Sequence, residues 1–143
     1  MNGTTLARIG LLYLALTSTL VGAWAQFAPG SFYEAFPLGR GWVAVDGPFN
    51  EHLVRDVGGL NLALAVVAFV AARWPSLALV RATAVATLVY QIPHAVYHAA
   101  HQAPLPTDTD RVLNAGSLMT SVLVALLLLM FRARSSEPKR DQS

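Results

Sequence analysis

The chain contains no cysteine. Disulfides, thiolate-bound metals, CxxC redox chemistry and covalent haem attachment through Cys are thereby excluded. Charge is scarce too: 13% of residues are charged, against about a quarter in a typical soluble domain. Lysine occurs once, at Lys139, so nine of the ten basic residues are arginine. A formal net charge of +2 with no long basic face argues against a nucleic-acid partner. What stands in place of charge is apolar. Hydrophobic residues make up 55% of the chain, and the mean hydropathy is positive. Its 143 residues suffice for one domain, but a water-soluble surface is hard to build from them.

The apolar residues are gathered into four runs, about 6–27, 53–74, 76–100 and 111–131. Each is about 20–25 residues, enough to cross a hydrocarbon core of roughly 30 Å as a helix. Lipid offers no hydrogen bonds, so the backbone must satisfy itself. None of the runs alternates as a strand would. The expected fold is therefore an all-α integral-membrane four-helix bundle, one domain over 1–131, with a polar, disordered tail at 132–143. The first run has a rival reading. Arg8, an apolar stretch and Ala23-Trp24-Ala25 resemble a signal peptide cleaved before Gln26. The run continues to Phe27, which suits a spanning helix better.

The connections set the topology. Runs two and three are separated only by Arg73-Trp74-Pro75-Ser76, which dictates an antiparallel hairpin. The long connection, about 28–51, holds Phe32, Tyr33, Phe36, Trp42 and Phe49 and should fold back over the bundle or lie in the interface. With both termini on one side, that side holds Arg8, Arg73, Arg81, Arg132, Arg134, Lys139 and Arg140. The other side holds Arg40, Arg55 and Arg111, with most of the acids. The excess of positive charge predicts cytoplasmic termini and an external aromatic loop. The arginine-rich, Ala/Leu/Val-rich composition points to a multi-pass protein of a bacterial plasma membrane.

Chemistry gathers around the four histidines. His94, His98 and His101 recur at i, i+4 and i+7, which keeps them within about 60° of arc on one helix face. Pro93 removes a backbone donor beside them. His52 and Asp56 share a face of the second run at i and i+4. Asn114, Ser117 and Ser121 make a polar stripe on the fourth. Ionisable residues inside spanning segments are costly and mark function by default. The expectation is an outward-facing pocket with His52, Asp56, His94, His98 and His101 as candidate ligands of zinc, iron or copper, since imidazoles with a carboxylate suit these metals. An open coordination position would then activate water against a lipid-like or other apolar substrate. Three alternatives stay open. One is metal-free acid–base chemistry by His and Asp. Another is a haem or quinone site, with His52 and His94 as haem ligands. The third is an accessory subunit or homo-oligomer whose small-residue helix faces bind partner subunits. The residues name no reaction.

The second run, Arg55-Asp56-Val57-Gly58-Gly59-Leu60-Asn61, resembles in size, topology and glycine placement the small bacterial four-helix membrane proteins of the DoxX-like kind. That resemblance implies fold and no site. His94-x-x-x-His98-x-x-His101 also resembles the histidine boxes of membrane desaturases, but those enzymes need about twice as many histidines, so no di-iron centre is implied.

Overall fold

The computed structural model describes residues 3–131, and over them the chain is all-α. Five α-helices follow in order: α1 (Gly3–Phe27), α2 (Pro29–Ala35), α3 (Glu51–Arg73), α4 (Leu77–Ala100) and α5 (Asp108–Leu129), with a single 3-10 turn at Ala44–Asp46. The expected tail, 132–143, lies outside the described residues.

Two expectations are corrected. The helix count is five, not four, because the long connection holds α2. Pro29 occupies its first turn, where the missing N–H costs nothing and the fixed φ is already helical. Seven residues are too few to show a helical period in the sequence. The second correction concerns membrane crossing. Three helices, α1, α3 and α5, are long and apolar enough to span a bilayer. Helix α4 is 24 residues long but carries Arg81, Tyr90, Gln91, Pro93, His94 and His98, which dilute its apolar character. The chain is nonetheless built as a membrane protein. Leu16, Leu20, Phe69, Val89, Val112 and Leu127 all lie exposed on the outer surface, where water would penalise them and lipid would not.

Three helices start on side-chain caps. Asn50 accepts from the Leu53 N–H at 3.1 Å, Ser76 from Leu79 at 3.2 Å and Thr107 from Asp110 at 3.1 Å. Each cap satisfies one of the orphan donors of a first turn. The chain then folds up and down, so the aromatic connection, the start of α3, the end of α4 and the start of α5 share one end of the bundle. The opposite end holds the main apolar core, with Leu11, Leu14, Ala68, Ala71, Val80 and Leu128 among its buried members.

The tightest packing is α1 against α3. Small residues there allow backbone to approach backbone, the way helices associate where burial from water gives no drive. A Cβ at Gly22 would sit 2.8 Å from the Leu62 nitrogen, and one at Gly58 would sit 2.6 Å from the Gln26 nitrogen. The Arg55 guanidinium Nη1 donates to the Gln26 carbonyl near the end of α1, placing a cation at a helix C-terminus, where the dipole favours it. Helices α4 and α5 form the second close pair, and the two pairs touch each other less.

Gly58→Ala should therefore destabilise the fold by about 1–3 kcal/mol, the usual cost of overpacking, and lower the melting temperature in detergent. Gly59→Ala is the control. Its Cβ would meet only Gln26 Oε1, at 3.9 Å, and melting should not change.

Candidate functional site

Between the two helix pairs, toward the aromatic end, lies a cavity of about 660 Å³. Every α-helix and the aromatic connection contribute to its wall: Thr17 and Val21 from α1, Phe32 from α2, Trp42 and Asp46 from the connection, Val57 and Asn61 from α3, Tyr90, Gln91, His94 and His98 from α4, and Asn114 and Ser121 from α5. A smaller hollow of about 460 Å³ opens at the other end, between α1 and α5. Its apolar lining of residues such as Leu6, Val124 and Leu127 carries no group that could do chemistry.

The aromatic connection does fold back, and it roofs the cavity. Trp24 of α1 packs edge-on against Phe32 and Phe36, with ring centroids 6.0 and 5.9 Å apart, and Phe36 packs edge-on against Trp42. Phe32 and Trp42 are buried. The roof is pinned by one carboxylate that sequence reasoning did not single out. Asp110 Oδ1 accepts from Arg40 Nη1 at 2.6 Å and from Trp42 Nε1 at 2.9 Å, and its Oδ2 accepts from the Thr107 hydroxyl at 2.6 Å. Asp110 sits in the first turn of α5, is 3% exposed, and has both carboxylate oxygens hydrogen-bonded to neighbours. It therefore ties the connection to α5.

The structure divides the five expected ligands among three places. His94 and His98 line the cavity. Their rings stand edge to face at 4.6 Å, and His94 stacks on Tyr90 at 5.4 Å. His52 and Asp56 do not join them. His52 Nε2 lies 3.4 Å from Asp56 Oδ2, with side chains 88% and 62% exposed. Helical geometry explains the separation. The buried face of α3 carries Val54, Gly58 and Asn61, and a step of two residues is about 200° of rotation. His52 and Asp56 therefore fall on the opposite side. His101 caps the end of α4, stacks on Tyr97 at 4.2 Å and donates from Nδ1 to the Tyr97 carbonyl at 2.8 Å. Among the described residues, no group of three or more His, Cys, Asp or Glu side chains is arranged to hold a metal ion. The expected haem pair of His52 and His94 shares no space either, since the cavity excludes His52.

The carboxylate that does reach the histidines is Asp46. Its Oδ2 lies 4.0 Å from His98 Nδ1, an ion-pair distance, and both side chains are partly buried. Asp46 ends the 3-10 turn, next to Gly47, whose carbonyl accepts from the Tyr33 hydroxyl at 2.7 Å. The connection thus delivers an acid to α4 from more than 50 residues earlier in the chain, and no local spacing marks it.

The remaining polar wall groups split into satisfied and unsatisfied. Asn61 Nδ2 donates to the Val57 carbonyl at 2.9 Å and to the Tyr90 hydroxyl at 3.3 Å. Ser117 and Ser121 donate back to carbonyls of their own helix. Gln91 Oε1 and Asn114 Oδ1 are buried and have no hydrogen-bond partner among the described residues. Gln91 also escaped sequence reasoning, although it lies one residue after Tyr90 on the helix that carries the histidines.

No protein-family model, curated protein or solved structure matches the chain. The DoxX-like resemblance therefore rests on the sequence pattern alone, and any function has to be argued from the site.

Replacing Asp110 by Ala should release the roof. Arg40 and Trp42 lose their shared acceptor, and limited trypsin digestion in detergent should cut after Arg40 faster than in the wild-type protein. An unchanged rate would show that aromatic packing alone holds the connection.

Proposed function

We propose that the protein binds an apolar, lipid-like small molecule carrying a hydrogen-bond donor, within a bacterial plasma membrane. The observation that carries this reading is the pair of unpartnered, buried amide oxygens, Gln91 Oε1 and Asn114 Oδ1, carried by two residues that line a largely apolar cavity. A buried acceptor without a donor costs about 1–3 kcal/mol. A ligand hydroxyl or N–H would remove that cost while its apolar body fills the space. The volume supports the reading, since small-molecule sites span roughly 300–1,000 Å³ with apolar walls and a few placed polar groups. So does the setting, because an apolar ligand can enter from lipid without crossing water.

The test compares 1-dodecanol with dodecane, matched in chain and differing in one donor. Binding is followed by tryptophan fluorescence, since Trp42 lines the cavity. Dodecanol should bind saturably and more tightly than dodecane. Asn114→Leu and Gln91→Leu should each reduce that preference by roughly 2–10-fold, the worth of one net hydrogen bond. Equal affinity for alcohol and alkane in the wild-type protein, or no saturable binding, would overturn the proposal.

A further inference from the structure

We infer that this cavity also takes a proton from its ligand, with His98 as the acceptor and Asp46 as the counter-charge. The ligand class is then narrower: an apolar molecule with one ionisable hydroxyl, as in a phenol or an enol, and a second hydrogen-bond donor. The inference rests on the ligand-binding reading above and specifies its chemistry.

The argument starts from what surrounds His98. Three aromatic or acidic groups face it: His94 edge-on at 4.6 Å, Tyr97 edge-on at 5.5 Å and Asp46 at 4.0 Å from Nδ1. His94 is backed by Tyr90, stacked at 5.4 Å. Asp46 is the only carboxylate lining the cavity among the described residues. An imidazolium in an apolar wall needs an opposite charge close by. His98 has one and His94 does not. Two imidazoliums this close would repel, so the pair has room for one added proton, and Asp46, 4.0 Å from His98 and facing no other histidine of the cavity, makes His98 the one to take it from the ligand. With Asp46 on the Nδ1 side of the ring, Nε2 is the nitrogen left to take a ligand proton.

The step balances without a co-reactant. The O–H bond of the ligand breaks, an N–H bond forms on His98, and the electron pair stays on the ligand oxygen. The products are a ligand oxyanion and an imidazolium, with Asp46 offsetting the latter. Nothing is oxidised or reduced. The second donor of the ligand meets the unpartnered oxygens of Gln91 and Asn114. His52 and Asp56, which pair with each other outside the cavity, take no part.

The probe is 4-dodecyl-5-nitrocatechol. One of its hydroxyls ionises near neutral pH with a visible colour change, and the other remains a donor. Bound to wild-type protein, its anion band should appear at least about one pH unit below the value found in protein-free micelles, a shift typical of an adjacent opposite charge. His98→Gln and Asp46→Asn should each return it toward the micelle value. In the wild-type protein itself, nitrogen NMR of labelled histidine rings should show one imidazolium appearing as the probe binds, which reads the transfer without any variant. Dodecanol affinity, measured in parallel, separates the two proposals. A cavity that binds dodecanol but leaves the probe ionising as in micelles overturns proton transfer alone. A shift that survives His98→Gln does the same. Loss of saturable binding for both molecules in the wild-type protein overturns the ligand-binding reading together with this inference.

Discussion

Backbone packing of α1 on α3 sets the geometry on which the other features depend. Gly22 and Gly58 bring the two helices closer than any side chain would permit, and the Arg55–Gln26 contact locks the same end. A second pair, α4 with α5, packs on its own account. At the far end, small residues such as Ala68, Ala71, Ala72 and Ala84 let the pairs close on each other around Leu11 and Val80. Toward the aromatic end no such set among the described residues bridges them, and the gap becomes the cavity. The hollow is thus a consequence of where the small residues are placed along the helices.

A gap of that kind would lie open at the end of the bundle unless something covered it. The aromatic connection does so, and Asp110 is the reason it stays. Arg40 and Trp42 come from the connection and Thr107 from the cap of α5, and all three donate to the same carboxylate. Each partner needs the others. Without Arg40 the buried carboxylate would lack a cation, and without Asp110 the buried Trp42 N–H would lack an acceptor. The cover is therefore specified by polar contacts and filled in by aromatic ones, which reconciles its sequence, rich in Phe and Trp, with its place at the end of the bundle.

The all-α class and three of the four expected spans were legible because lipid imposes them: a long apolar run must be a helix there, and its composition alone says so. Helix α2 was not legible, since seven residues carry no period and its formation depends on Phe32 and Phe36 finding Trp24. The histidine stripe was legible in part. Spacing along α4 put His94 and His98 on one face correctly. On α3, the same spacing rule linked His52 to Asp56 but could not say which way that face turned. The buried positions Val54, Gly58 and Asn61 decide it.

The exchange of Asp56 for Asp46 changes the chemistry available. A carboxylate one turn from its histidine on an exposed helix face makes a pair in high dielectric, where the interaction is weak and salt-screened. A carboxylate brought in by a separate segment, partly buried against a histidine on the cavity wall, acts in a medium where the same charge counts for more. It also makes the charge partner conditional on the fold of the connection. Asp46 lies six residues after Arg40 and four after Trp42, so the segment that Asp110 holds is the segment that carries the acid to His98. The roof of the cavity and the charge balance at its wall are, in this protein, one structural element.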